Sequence, residues 1–69
     1  MTILTANKNE MLGNTMKAAA MQVFNKKHQK DIKISLFHGC TIVSVYSNKS
    51  WIDYDVWIDG GNFNFLLAQ

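Results

Sequence analysis

Residues 32–67, "IKISLFHGCTIVSVYSNKSWIDYDVWIDGGNFNFLL", alternate apolar and polar side chains and are interrupted by dipeptides suited to tight turns. These dipeptides are His38-Gly39, Asn48-Lys49 and Gly60-Gly61. Two-residue hairpin turns need positive φ angles, which glycine and asparagine adopt readily. Lysine adopts them less readily, so the second loop is a candidate for a longer connection. The alternation and the turns together predict a four-stranded antiparallel meander.

The predicted register collects the apolar side chains on a single face of this sheet. Its same-face pairs are Ile32–Val45, Ile34–Val43 and Leu36–Thr41, then Val45–Ile52, Val43–Tyr54 and Thr41–Val56, then Tyr54–Leu67, Val56–Phe65 and Ile58–Phe63. A shift of one residue at any turn would send a whole strand's apolar set to the opposite face. Because turns chosen by local chemistry alone give one continuous apolar face, we expect this register to hold.

A helix is predicted before the meander. Asn7 and Glu10 have the spacing of a capping box, and an apolar stripe at intervals of three and four residues follows them. We expect the helix to run from Lys8 to about His28, with the cations of residues 26–28 at the negative end of its dipole. Residues 1–6 are compatible with an edge strand or with an apolar lead-in.

The chain of 69 residues is therefore expected to form one α+β domain over residues 1–69. Its N-terminal amphipathic helix would pack on one face of the four-stranded meander, in two layers with a possible short fifth strand at the N-terminus. A domain of this size has only just enough core to fold, so we expect modest stability.

The opposite side of the predicted sheet, here called the second face, is unusually rich in aromatic residues. The register assigns to it Lys33, Ser35, Phe37, Cys40, Ile42, Ser44, Tyr46, Trp51, Asp53, Asp55, Trp57, Asn64 and Leu66. One helix cannot cover both faces, and exposed aromatic patches usually mark interaction sites. Two interpretations remain open: cross-strand packing that only stabilises the sheet, and an interface. As an interface, the face could serve a foreign protein or a homodimer of stacked sheets.

Chemistry-bearing motifs are few. The carboxylates of Asp53, Asp55 and Asp59 alternate along one strand without the further oxygen ligands that hard cations take, so no metal site is expected. His38 and Cys40 flank a glycine, and a packed thiol is the simpler interpretation of that cysteine. Phosphate-binding loops and serine elbows are absent from the sequence, so we expect neither a cofactor nor an enzyme.

The cationic residues give a second functional hypothesis. All seven basic residues are lysines, and the formal net charge is +2. A lysine-based nucleic-acid site would use Lys26, Lys27, Lys30 and Lys33. The absence of arginine weakens this alternative, because arginine is the usual reader of guanine and phosphate.

The leading hypothesis is a small non-enzymatic protein-interaction module without a membrane span. It would dock on a protein partner, or on itself as a homodimer, through Phe37, Ile42, Tyr46, Trp51, Asp53, Asp55 and Trp57. A lone cysteine and the lack of a signal-peptide pattern indicate the cytoplasm. A composition rich in lysine, asparagine and isoleucine favours a phage or mobile element, where the protein would be an accessory factor such as an inhibitor of host defence.

Overall fold

One helix and five strands make up the computed structural model, which describes residues 3–7 and 15–68. The elements are β1 (Ile3–Asn7), α1 (Met16–Val23), a short 3₁₀ turn (Gln29–Asp31), β2 (Ile32–Phe37), β3 (Cys40–Ser47), β4 (Ser50–Asp59) and β5 (Asn62–Leu67). The strands form one sheet in the order β1-β5-β4-β3-β2, and all neighbours are antiparallel. The predicted α+β fold, with one helix and a meander, is confirmed.

All three predicted hairpin turns are present with two residues each. Both residues of every turn have positive φ: 52° and 79° at His38-Gly39, 51° and 66° at Asn48-Lys49, and 61° and 76° at Gly60-Gly61. These angles define type I′ turns, whose twist matches that of the flanking strands. Lys49 therefore accepts the left-handed conformation, and no longer loop forms there. Each predicted same-face pair occurs in the observed register.

The N-terminal segment forms the edge strand that the sequence left undecided. β1 pairs with β5, with Leu4 opposite Phe65 and Ala6 opposite Phe63. Asn7 is the last residue of this strand. The other member of the predicted capping box, Glu10, and the predicted helix start at Lys8 lie outside the described residues.

The helix α1 is shorter at both ends than the predicted span from Lys8 to about His28. Thr15 is extended, with φ −104° and ψ 153°, and its hydroxyl oxygen accepts a hydrogen bond from the Ala18 amide at 3.1 Å. This is an N-cap interaction, because it satisfies one of the amides that a first turn leaves without an intrahelical partner. The helix therefore begins at Met16, and a continuous helix through residue 15 is excluded.

The helix ends at Val23 in a Schellman motif centred on Asn25. Asn25 has φ 56°, the Lys26 amide donates to the Met21 carbonyl at 2.8 Å, and the Asn25 amide donates to the Gln22 carbonyl at 3.2 Å. Asparagine is the commonest substitute for glycine at this left-handed position. The prediction that residues 26–28 form the last helical turn is therefore wrong, and these cations follow the helix instead.

The core lies between α1 and one side of the sheet, here called the helix face. Its buried residues are Ala6, Ala19, Ala20, Ile32, Val43, Val45, Val56, Phe63 and Phe65. Ala19 and Ala20, the two buried alanines of α1, let the helix approach the strands closely. Phe24 extends this contact, because its ring centroid lies 4.5 Å from that of Tyr54 and 5.5 Å from that of Phe65.

The eight-residue helix contacts β1 and β2, the two edge strands, but leaves part of the helix face uncovered. At the margins, Leu36 is 77% exposed and Ile58 is 53% exposed, although both lie in rows whose central members are buried. Within residues 3–7 and 15–68, the structure contains no helix with the length and apolar character needed to cross a membrane.

Candidate docking face of the sheet

The predicted docking residues all project from the second face. Register parity puts them there, because their same-strand neighbours Val43, Val45 and Val56 lie in the core. Large exposed fractions remain on Phe37 (65%), Trp51 (40%) and Trp57 (37%). Tyr46 and Asp53 are also exposed, and Ile42 and Asp55 are half-buried. The face therefore presents its aromatic rings to solvent.

No helix or strand in the described part of the chain covers this face. The helix packs on the opposite side through Ala19 and Ala20, whose partners are core residues of the helix face. The N-terminal segment, which could have folded over the second face, instead extends the sheet sideways as β1. The aromatic surface is thus a consequence of having one helix for a two-sided sheet.

An aromatic and cationic cluster occupies one end of the second face. Tyr46 lies directly opposite Trp51, and their ring centroids are 5.2 Å apart at an interplanar angle of 57°. The ammonium of Lys33 sits 4.4 Å from the centroid of the Trp51 ring, within cation–π range. Lys33, which was grouped with the candidate nucleic-acid lysines, is therefore part of the aromatic end of this face.

The middle of the second face is a shallow acidic groove. The Ser44 hydroxyl donates to an Asp53 carboxylate oxygen at 2.6 Å, which fixes that carboxylate above β3. Asp55 lies opposite Ile42, next to this pair. The groove has a volume of about 520 Å³ and is lined by Ser35, Phe37, Ile42, Ser44, Asp53, Asp55 and Ala68. It combines the apolar side chains of Phe37 and Ile42 with two carboxylates, of which Asp53 is held by Ser44.

Trp57 marks the other end, next to the first hairpin turn. A second depression of about 510 Å³ lies between them, lined by Met16, Gly39, Cys40, Thr41, Asp55, Val56, Trp57 and Ile58. Phe37 stacks edge-on against His38, with centroids 4.2 Å apart. Cys40 is exposed, so the expectation of a packed thiol is wrong.

The described residues hold no cluster of three or more His, Cys, Asp or Glu side chains that could bind a metal ion. Asp53 instead accepts the hydrogen bond from Ser44.

Sequence reasoning missed the contribution of β1 to the second face. Ile3 lies opposite Leu66 and is about half exposed, and Thr5 lies opposite Asn64, with the Thr5 hydroxyl donating to the side-chain Oδ1 of Asn64 at 3.4 Å. The alternation of Ile3 and Thr5 with Leu4 and Ala6 was the available signal. It was too short to separate a strand from an apolar lead-in.

The candidate nucleic-acid lysines are divided between the two sides of the sheet. Lys26 and Lys27 lie in the segment that leaves α1 on the helix side, and Lys30 lies in the 3₁₀ turn. Lys33 projects from the second face and contacts Trp51. The strand that carries Trp57 also carries Asp53, Asp55 and Asp59, so on the second face these carboxylates outnumber Lys33.

Tryptophan and tyrosine are enriched among the residues that dominate binding energy at protein interfaces, and interface charges contribute to specificity. When it is compared with protein-family models, with curated proteins and with solved structures, the chain shows no significant match to any of them.

Proposed function

We propose that this protein is a non-enzymatic interaction module that docks on a protein partner through the second face. The observation that supports this most directly is the exposure of Phe37, Trp51 and Trp57 on a sheet face that no described element covers. Partly exposed tryptophans realise only part of the free energy that their full burial would give, and tryptophan dominates many interfaces.

The arrangement of the face supports a protein as the ligand. Aromatic groups stand at both ends of a groove whose centre holds Ile42, Asp53 and Asp55. A partner that places apolar side chains on the rings and cationic groups over the carboxylates would match both features. The excess of aspartate over lysine on this face argues against a polyanionic ligand there.

The cellular setting of the proposal rests on the sequence. Its single cysteine favours a reducing cytoplasm. Its composition favours a phage or mobile element, in which a module of this kind would act as an accessory factor or as an inhibitor of a host protein.

The proposal is tested with two substitutions on adjacent residues of β4 that project from opposite faces. Trp57→Lys alters the second face, and Ile58→Lys is the matched control, because both residues are partly exposed. Tagged wild-type protein is used to capture partners from lysate of the encoding organism or its host. The captured protein is then purified and titrated against the wild type and both variants. We expect Trp57→Lys to abolish binding and Ile58→Lys to retain it.

Folding of both variants is checked by circular dichroism before they are compared. If folded Trp57→Lys binds every captured partner as the wild type does, the second face is only a packed surface and the proposal is wrong. Face-to-face stacking of two copies would use the same residues. A wild-type dimer that Trp57→Lys converts into a folded monomer would show that the face is occupied by a second copy.

The nucleic-acid alternative has less support, because its four lysines do not share one side of the sheet. Its test is an electrophoretic shift at low salt with single- and double-stranded DNA and RNA. Phosphate neutralisation by lysines would give binding that weakens steeply as salt is added. The lack of any shift at low salt would remove this function.

A further inference from the structure

The outer edge of β2 is the most exposed apolar strand edge in the described part of the chain. β2 pairs with β3 on one side, and no described strand pairs with it on the other. From Lys33 to Phe37 every residue of the strand is exposed, and Leu36 and Phe37 are the most exposed large apolar residues. They project from opposite faces, so the edge is apolar on both sides.

The hairpin turn determines which backbone groups of β2 point outward. Because His38-Gly39 is a two-residue turn, its flanking pair Phe37–Cys40 is hydrogen-bonded, and such pairs recur at every second residue. The inward groups therefore belong to the odd-numbered residues of β2, and Ile34 and Leu36 direct their N–H and C=O groups to the outer edge. The same rule, counted from the Gly60-Gly61 turn, places a hydrogen bond between Asp53 and Ala68, which is observed at 3.0 Å.

Strand edges of natural proteins are usually protected by proline, bulges or several charges. The sequence contains no proline, β2 pairs with β3 without a bulge, and Lys33 is the only charged residue in the strand. An edge with free backbone groups and apolar side chains on both faces is a template for another strand.

We propose that β2 pairs antiparallel with β2 of a second copy, about a two-fold axis through Ser35. Ile34 of each copy then lies opposite Leu36 of the other, and each such pair exchanges two backbone hydrogen bonds. The side chains of these pairs lie on the helix face. On the second face, Phe37 lies opposite Lys33 of the second copy, and Ser35 lies opposite its own equivalent. One sheet continues through both molecules.

A second copy fits this edge better than other occupants because the strand is complementary to itself in this register. The axis at Ser35 puts the exposed Leu36 against Ile34 of the second copy and Phe37 against its Lys33. An axis at Ile34 would leave Phe37 beyond the paired segment. An axis at Lys33 would place two ammonium groups opposite each other.

This dimer goes beyond the proposed function, because it uses the edge of β2. On the second face it involves only Lys33, Ser35 and Phe37 of that edge strand and leaves Trp51, Asp53, Asp55 and Trp57 open. A two-fold axis perpendicular to the sheet puts both helices on one side and both second faces on the other. The partner-binding surface would then be doubled, and a partner with two matching sites would be held by both copies.

The oligomer is tested by light scattering after size exclusion, over a wide range of protein concentration. We expect a wild-type dimer, and Leu36→Lys should raise its Kd by about tenfold or more, because each symmetry-related pair loses apolar contact and gains an ammonium. Leu36 is mostly exposed in the single chain, so this substitution leaves the monomer folded. Ile58→Lys, on the same side of the sheet but away from β2, should remain a dimer, and so should Trp57→Lys.

The register is tested by cross-linking in a Cys40→Ser background. A non-hydrogen-bonded antiparallel pair has a Cα separation of about 4.5 Å, which suits a disulfide. Ser35→Cys should therefore form a covalent dimer on oxidation, whereas Lys33→Cys, which faces Phe37 of the second copy, should not.

A wild type that is monomeric at every concentration would overturn the proposal, as would a dimer that Leu36→Lys leaves intact or equal cross-linking of both cysteine variants. A dimer lost only in Trp57→Lys would show stacking of the second faces instead. None of these measurements involves the partner, so failure of the dimer and failure of partner docking are separate results.

Discussion

Phe65→Ala is the substitution that we expect to damage the fold most. Phe65 is 0% exposed, lies between Leu4 of β1 and Val56 of β4, and is in edge contact with Phe24. Truncating a buried phenylalanine costs about 3–5 kcal/mol, because transfer free energy is lost and a cavity remains. At about 0.05–0.15 kcal/mol per residue, a domain of this size has a free energy of unfolding of about 3–10 kcal/mol. The substitution should therefore remove a third or more of the total stability.

The assay is urea unfolding followed by far-UV circular dichroism, which reports the whole sheet, whereas Trp51 and Trp57 are partly exposed on one face and report only their local surroundings. With a slope of about 1 kcal/mol per M, the midpoint should fall by about 3 M or the variant should be unfolded without urea. Leu67→Ala is the control on the same strand and the same side of the sheet. Leu67 is half-exposed, so its substitution should cost less than about 1.5 kcal/mol. Equal midpoint shifts for the two variants would refute the assigned core.

Two further predictions concern left-handed residues, and both are measured by thermal melting. Asn25→Ala should destabilise the protein by about 1 kcal/mol, because alanine is strained at the φ of 56° that ends the helix, whereas Asn25→Gly should be neutral. Lys49→Gly should stabilise the second hairpin by up to about 1 kcal/mol, because it relieves strain at φ 66°. A Lys49→Gly variant that melts below the wild type would contradict the type I′ assignment of that turn.

The meander was predictable because each of its determinants is local. A turn dipeptide sets the register of two strands, and side-chain alternation then assigns every residue to a face. β1 was not predictable in this way, because its partner lies at the other end of the sequence, as the Thr5–Asn64 pair shows. Nothing in residues 1–6 indicates which strand they would join.

The predicted helix was too long because an apolar stripe at helical spacing does not indicate where the backbone leaves the helical conformation. Asn25 ends the helix in the left-handed region, yet asparagine is also tolerated within helices. Phe24 continues the stripe in the sequence, but it belongs to the cap and packs on Tyr54 and Phe65. These contacts form only when the sheet is present, so no local pattern could reveal them.

The alternation of side chains predicted which residues lie on the second face, but it did not predict how exposed these residues are or which contacts they make. Whether Trp51 and Trp57 are exposed depends on what lies above them, and the shorter helix and the sideways placement of β1 decide that. The contact between Lys33 and Trp51 depends on a side-chain conformation across two strands. The sequence pattern therefore could not predict that Lys33 contacts Trp51.

Folding alone does not account fully for tryptophan at positions 51 and 57. Full burial of a large apolar side chain contributes about 1.5–3 kcal/mol, and a cross-strand pair on an open face contributes about 0.2–1 kcal/mol. Both tryptophans keep more than a third of their surface in water, so a corresponding part of the larger value is not realised in the single chain. The remaining burial is available only to a second molecule, and the carboxylates of Asp53 and Asp55 on the same face restrict which molecule can supply it.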